Sequence, residues 1–334
     1  MGTPDFAVPF LEALTEDQFF DVIGVITQPD KLAGRKQTLS QSPIKIFSAK
    51  HGLPVYQPEE IASLESEIKN LAPGLIIVAA YGQILPQSIL DISRYGCINV
   101  HASLLPKYRG AAPIQAAILN GDEKTGVSIM KMEAGLDTGP VLGQNIVKVR
   151  ATDTALSLFN KLVDCGLEIF IPTLKKYVQG EVRPEPQDSR QATYARTLKK
   201  SDAEIDWAKS ADEIERMIRA YNPWPGSRFT ISPSRHRLAE ADDSRPASPA
   251  YRSGRTTGGL TIKILETEFE PVKMNNYTPG ALFAYKNKLA VQCGKDALII
   301  KKIQPAGKKP MSGEEFLNGY KDKLKISEAS SSIG

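Results

Sequence analysis

The first half of the chain alternates short apolar runs with amphipathic stretches. Residues 22–26 and 75–80 read as buried strands, with shorter ones at 97–100 and 127–130. Helical patterns fill 7–14, 59–70 and 113–120. This alternation predicts an α/β unit, a doubly wound sheet with helices on both faces. Residues 1–6 read as the loop that follows a first strand, yet no strand-forming run stands before them. The expectation is therefore a trimmed or misassigned start. A longer helix is predicted over 152–179, where Leu156, Phe159, Leu162, Val163, Leu167, Phe170 and Leu174 recur at helical spacing. Thr152 is its expected N-cap and Gly180 its stop, and Pro172 is expected to kink or divide it.

The pattern then changes. A polar connector at 181–193 carries Pro184 and Pro186, and a second helix is predicted at 210–220. Short strand-forming runs follow at 228–231, 261–265, 281–284, 289–292 and 297–300, which predicts a small β-barrel of OB-like type. Residues 232–259 are rich in Ser, Pro, Gly and Arg and poor in apolar side chains, so a flexible insertion is expected there. A chain of 334 residues exceeds what one core usually needs. The expected organisation is an α/β domain over 1–188, a linker over 189–202 and a barrel domain over 203–322.

Composition narrows the class. Apolar residues make up 41% and charged residues 24%, as in ordinary soluble domains. No apolar run reaches the ~18 residues of a membrane span, and no basic-then-apolar leader opens the chain. A cytoplasmic protein without membrane contact is expected. The net charge of +4 permits an acidic partner without requiring one. Cys97, Cys165 and Cys293 lie far apart and without metal-ligand spacing, so buried thiols are expected, with neither disulfide nor metal.

The chemistry concentrates at one strand end. Asn99 and His101 stand two apart, so both project from one face at the carboxyl edge, where open α/β sheets bind ligands. Asp137 lies in a turn between Gly135 and Gly139, after the strand at 127–132. Singly, these are a strand-end amide, a hydrogen-bonded histidine and an Asx turn. Together they suit acyl transfer without a covalent intermediate. The amide can stabilise an oxyanion, the histidine can move protons, and the carboxylate can raise the histidine's basicity or activate an attacking amine. Ser103 is the rival nucleophile, but no Gly-x-Ser-x-Gly elbow surrounds it.

The run from Ile98 to Gln115, which includes His101-Ala102-Ser103-Leu104-Leu105-Pro106, resembles the signature of the 10-formyltetrahydrofolate-dependent formyltransferases. Residues 135–139 resemble that superfamily's second motif. The resemblance implies that Asn99, His101 and Asp137 form the catalytic triad. It implies folate contacts at Gly82, Gln83, Ile84 and Leu85 and at Ser103, Leu104, Leu105 and Pro106. It also implies a Rossmann-like catalytic domain followed by an OB-like one. Segments 2–7, 27–31, 42–45 and 298–319 resemble the branch that formylates methionyl-tRNA. That branch implies 10-formyltetrahydrofolate as donor and methionyl initiator tRNA as acceptor, for translation initiation. In the implied roles Asn99 and His101 stabilise the oxyanion, His101 helps protonate the departing folate nitrogen, and Asp137 holds His101 and accepts the amine's proton.

The resemblance spans nearly the whole chain except 232–259. The chain departs from the family in lacking the first strand, in Lys36 for a glycine, in Leu32 for a proline and in the longer insertion. The loop at 30–45 is basic, and Arg35, Lys36 and Lys45 are its expected tRNA contacts, Arg35 first because guanidinium both pairs with phosphate and stacks on bases. Lys286, Lys288, Lys295, Lys301, Lys302, Lys308 and Lys309 give the barrel a positive bias suited to RNA. A monomer is expected. Rival readings are a nucleotide-sugar formyltransferase, a formyltetrahydrofolate hydrolase and a catalytically dead RNA-binding protein.

Overall fold

The apolar runs of the first half pair side by side. The computed structural model describes residues 1–33, 38–231, 259–268 and 271–329. Two units emerge: Met1–Ala117 with Asp122–Arg150 and Ser157–Thr197, and Ile118–Gly121 with Ala151–Leu156 and Leu198–Gly334. Up to Thr197 the strands are β1 (Val25–Ile26), β2 (Lys31–Ala33), β3 (Thr38–Ser40), β4 (Val55–Tyr56), β5 (Ile76–Val78), β6 (Cys97–His101), β7 (Arg109–Gly110), β8 (Lys124–Lys131), β9 (Val141–Lys148) and β10 (Tyr194–Ala195). The helices are α1 (Val8–Glu16), α2 (Pro43–Lys50), α3 (Glu65–Leu71), α4 (Gln87–Leu90), α5 (Pro113–Leu119) and α6 (Ala155–Val178).

β1 runs parallel to β4 and β5 parallel to β6, whereas β6–β8 and β8–β9 are antiparallel. The sheet is thus mixed. Apolar runs look alike in either direction, so the pattern could not announce the reversal at β8. Met1 and Gly2 join the two parallel pairs. The Gly2 amide donates to Ile26 O at 3.0 Å, and the Ala79 amide donates to Met1 O at 2.9 Å. Gly2 thus forms an isolated parallel bridge with Ala79. Beside that bridge lies an apolar cavity of about 150 Å³, lined by Met1, Phe10, Val22, Gly24, Leu75 and Ile77 among others.

Strand alternation sends Ile76 and Val78 to a core with Ile68, Ile89 and Leu90 from α3 and α4. On the opposite face α1 and α6 meet through Phe10 and Phe170, with ring centroids 5.1 Å apart. Gly166 permits the close fit, since a Cβ there would stand 2.9 Å from Phe10 and 3.3 Å from Val127. α6 begins at Ala155, so Thr154, not Thr152, precedes its first residue. It passes through Pro172 undivided, and Gly180, at φ +78, follows its end as expected.

The expected connector is mostly structured. Glu185 and Val141 exchange two backbone hydrogen bonds of 2.8 Å, and β10 pairs with β7. The first unit therefore reaches Thr197, past the expected boundary at 188 and into the expected linker.

In the second unit α7 (Ala211–Ala220) is capped by Ser210 and Glu213, each bonding the other's backbone N–H. β11 (Arg228–Ile231), β12 (Leu260–Thr267), β13 (Leu282–Tyr285), β14 (Lys288–Gln292), β15 (Ala297–Pro305), β16 (Met311–Ser312), α8 (Gly313–Leu324) and β17 (Ser327–Glu328) follow. The strand order is β11-β12-β15-β14-β13-β17, with β16 on β15. Among the described residues its end strands do not pair, so the expected barrel is an open, curled half-barrel. Apart from Gly259, the insertion expected at 232–259 lies outside the described residues.

All three cysteines are free and buried, and burial pushes the thiols up to about 12 for Cys97 and Cys293 and about 11 for Cys165. Among the described residues no helix is long and apolar enough to cross a membrane.

Candidate functional site

β6 is buried along its whole length, and Asn99 and His101 hang from the face opposite Val100. Ladder pairs Asn99↔Met130 and His101↔Ser128 fix their height on the sheet. The turn after β8 brings Asp137 to the same place. Gly139 makes this approach possible, because a Cβ there would lie 1.9 Å from Lys131 O. Asp137 itself adopts φ +51, a left-handed conformation that a non-glycine residue holds only when its surroundings impose it.

Two donors and the His101 ring converge on the Asp137 carboxylate. The Gly110 amide donates to Oδ2 at 2.7 Å, Asn99 Nδ2 donates to Oδ1 at 3.4 Å, and His101 Nδ1 stands 3.7 Å from Oδ2. The His101 and Asp137 side chains are only 7% and 15% exposed. His101 Nε2 lies 2.9 Å from Tyr108 O, and a carbonyl only accepts, so Nε2 carries a hydrogen and Nδ1 faces Asp137. The Asn99–His101–Asp137 grouping read from the sequence is thus one cluster in space. The Gly110 amide and the Tyr108 carbonyl escaped that reading, because backbone groups leave no residue-type signal. The φ of +114 at Gly110, with Ala195 O 2.6 Å from a notional Cβ, explains its glycine.

Ser103 is fully buried, and its hydroxyl donates to Lys107 O at 2.6 Å. It braces its own loop and is no free nucleophile. The two expected folate stretches leave the carboxyl ends of neighbouring parallel strands, 82–85 after β5 and 103–106 after β6. Their side chains divide. Leu85, Ser103 and Leu105 are buried. Gln83 holds its loop, accepting from the Ile61 amide at 2.7 Å and donating to Glu59 O at 3.1 Å. Gly82, Leu104 and Pro106 keep exposed surface, and Ile84 is 91% exposed. The buried Tyr81 hydroxyl has no hydrogen-bond partner among the described residues. Burial pushes it up to about 12.

Of the expected tRNA contacts, Arg35 and Lys36 lie outside the described residues. The flanking β2 and β3 form an antiparallel hairpin in which exposed Leu32 and Leu39 stand opposite each other. Lys45 is not a free cation. Its ammonium pairs with Asp30 Oδ2 at 2.6 Å, and Gln57 Nε2 donates to Asp30 Oδ1 at 2.8 Å. In the second unit Lys288 pairs with Glu268 and Lys301 with Glu266, which trims the expected positive bias. Among the described residues no group of three His, Cys, Asp or Glu could hold a metal ion.

The formyl transferase family matches residues 1–174, and the formyl transferase C-terminal domain matches 197–321. The methionyl-tRNA formyltransferase of Pseudoalteromonas translucida is 42% identical over 327 residues, covering 96% of this chain and 93% of that one. The methionyl-tRNA formyltransferase of Caldanaerobacter subterraneus subsp. tengcongensis is 41% identical over 323 residues, with 96% of each chain covered. An N-formyltransferase from Helicobacter canadensis, solved with folinic acid and dTDP-3-aminofucose, has a TM-score of 0.60 at 19% identity, covering 90% of this chain and 96% of that one. That likeness concerns the fold alone. With family matches over both units and relatives above 40% identity along nearly the whole length, the chain belongs to the formyl transferase family, among the methionyl-tRNA formyltransferases.

Proposed function

We propose that the protein transfers the formyl group of 10-formyltetrahydrofolate to the α-amine of methionyl initiator tRNA. The observation that carries the reading is the convergence of Asn99, His101 and Asp137 in a chain 42% identical to a methionyl-tRNA formyltransferase. The donor set fits a formyl carrier: one amide N–H for the formyl oxygen, a histidine–carboxylate pair for protons, and the exposed, apolar Ile84 on the loop after neighbouring β5 for a flat heterocycle.

The methionyl amine attacks the formyl carbon, forming the new C–N bond. Asn99 Nδ2 donates to the oxyanion that develops on the formyl oxygen. Asp137 and His101 Nδ1 receive the proton shed by the attacking amine, and the pair returns it to the folate nitrogen as the old C–N bond breaks. The buried setting of Asp137 strengthens these contacts relative to water.

Purified protein would be given 10-formyltetrahydrofolate with methionyl initiator tRNA, with a nucleotide-linked amino sugar, or with water as the sole acceptor. Formylation of the tRNA at a kcat/KM at least ~100-fold above the other acceptors is expected. Comparable turnover on the sugar, comparable hydrolysis, or tRNA binding without turnover would each overturn the reading.

A further inference from the structure

Asp137 sits in a strained backbone conformation, and the structure shows what holds it there. The side-chain amide of Gln187 donates to Asp137 O at 2.8 Å and to Gly139 O at 2.7 Å. Its carbonyl oxygen accepts from Arg109 Nε at 3.1 Å and from Arg109 Nη2 at 2.8 Å. The orientation of the carboxamide is unambiguous, since guanidinium only donates and backbone carbonyls only accept. Arg109 is 2% exposed, and its Nη2 also lies 3.4 Å from Ser189 Oγ. One step along β7, the Gly110 amide holds the Asp137 carboxylate. Arg109 and Gly110 of β7 thus grip the turn from its backbone, through Gln187, and from its side chain.

We infer that Gln187 is a positioning residue for formyl transfer: its carboxamide clips the backbone on either side of Thr138, keeps Asp137 in its left-handed conformation, and is itself oriented by Arg109. Left-handed backbone at a non-glycine residue costs of order 1–3 kcal/mol and persists only where neighbours over-determine it. Two hydrogen bonds to the carbonyls that flank Thr138 do so, and the guanidinium on the far end of the amide polarises it into a stronger donor. The antiparallel bridge between Glu185 and Val141 delivers Gln187 to this place. The residue touches no reacting atom; it acts through Asp137.

The inference rests on Asp137 being catalytic, and the test separates the two. Asp137→Ala, Gln187→Glu, Gln187→Met and the double variant Asp137→Ala/Gln187→Glu would be compared for kcat, KM for each substrate and melting temperature. Glutamate keeps the Arg109 contact but cannot donate to the two carbonyls, and methionine keeps the volume. Each Gln187 variant is expected to lower kcat ~10–100-fold, the scale of a small misplacement of a reacting group, with KM changed less than ~3-fold. In the Asp137→Ala background Gln187→Glu is expected to add nothing, because the clip then has no catalytic group to aim. Full activity of both Gln187 variants beside an inactive Asp137→Ala would overturn the clip. So would losses that multiply in the double variant. An active Asp137→Ala would instead overturn the reading of the site. Should one Gln187 variant fail to fold, the other decides.

Discussion

The two sides of the first unit's sheet are built to different standards. From β6 to β9 the pairing is near-continuous, with four registered pairs between β6 and β8, a single register shift between β8 and β9 at Ile129/Met130, and a β6 buried at every position. Around β1 the pairing is two residues long, Met1 and Gly2 supply one rung, and a cavity of about 150 Å³ lies beside it. Asn99 and His101 hang from the continuous side, and the Asp137 turn leaves its β8. Side chains can be held to a fraction of an ångström only where packing and hydrogen bonds leave no slack. Catalytic placement and fold stability should therefore respond to different substitutions.

The largest effect is expected on the continuous side. Asn99→Ala should lower kcat by ~10²–10³-fold, as loss of one oxyanion donor does. His101→Ala and Asp137→Ala should each cost at least ~10²-fold. Melting temperatures should move little by comparison, and near-native turnover in any of the three would remove the triad.

A backbone substitution nearby should strike both properties. In Gly139→Ala the new Cβ would meet Lys131 O at 1.9 Å, and a backbone carbonyl within the β8 ladder cannot retreat cheaply. Activity should fall ~10-fold or more with a clear drop in melting temperature, consistent with overpacking costs of about 1–3 kcal/mol. A Gly139→Ala protein that melts and turns over like the parent would mean that the turn is freer than its contacts imply.

The Asn99–His101–Asp137 grouping was legible in the sequence because strand alternation and glycine-flanked turns are local signals, while its catalytic roles came from the family resemblance. Asn99 and His101 are two residues apart, and Asp137 sits between two glycines that the close approach requires. Gln187 was not legible. Its partners lie 48, 50 and 78 residues away in sequence, and its surroundings read as a proline-marked connector. The helix at Gly313–Leu324 had a readable start, Ser312 three residues before Glu315, which the strand-rich context overshadowed. Lys45 shows a different limit of sequence reading. A lysine in a basic loop looked available for phosphate, but charge counting does not reveal that Asp30 lies within reach.

The slack side offers a moderate, opposite effect. Met1 carries a buried ammonium that donates to Ile77 O at 2.6 Å, and burial pulls the amine down to about 6. The folded chain starting at Met1 thus binds fewer protons than the unfolded chain between about pH 6 and its ordinary value near 8. Its stability should rise with pH across that window. Adding about five apolar, β-branched residues before Met1 would replace the ammonium with a peptide bond and fill the cavity. The extended chain should melt several degrees higher, lose the slope between pH 6 and 8, and keep its kcat. An unchanged melting curve would show that the cavity does not accept a strand.

The smallest effect concerns Lys45, and its sign separates a structural lysine from an RNA contact. The Lys45 ammonium, and after it the Gln57 amide, hold the Asp30 carboxyl below the usual carboxylate range. A depressed carboxylate contributes stability that is present above its unfolded value, near ~4, and is lost as pH falls through the folded value. Lys45→Met should therefore melt slightly below the parent at neutral pH, and the two curves should converge as the medium becomes acidic. The shift should be small, since partly exposed ion pairs are weak. Because this ammonium is already engaged, the salt dependence of tRNA binding should keep its slope in Lys45→Met. Loss of a phosphate contact instead makes that slope shallower by about one charge. Arg35→Ala is the reference for such a loss, with tRNA binding weaker by about 1–3 kcal/mol where a stacked or bidentate contact goes. A shallower slope in Lys45→Met, with its acid stability unchanged, would return the residue to the RNA surface and make its pairing with Asp30 incidental.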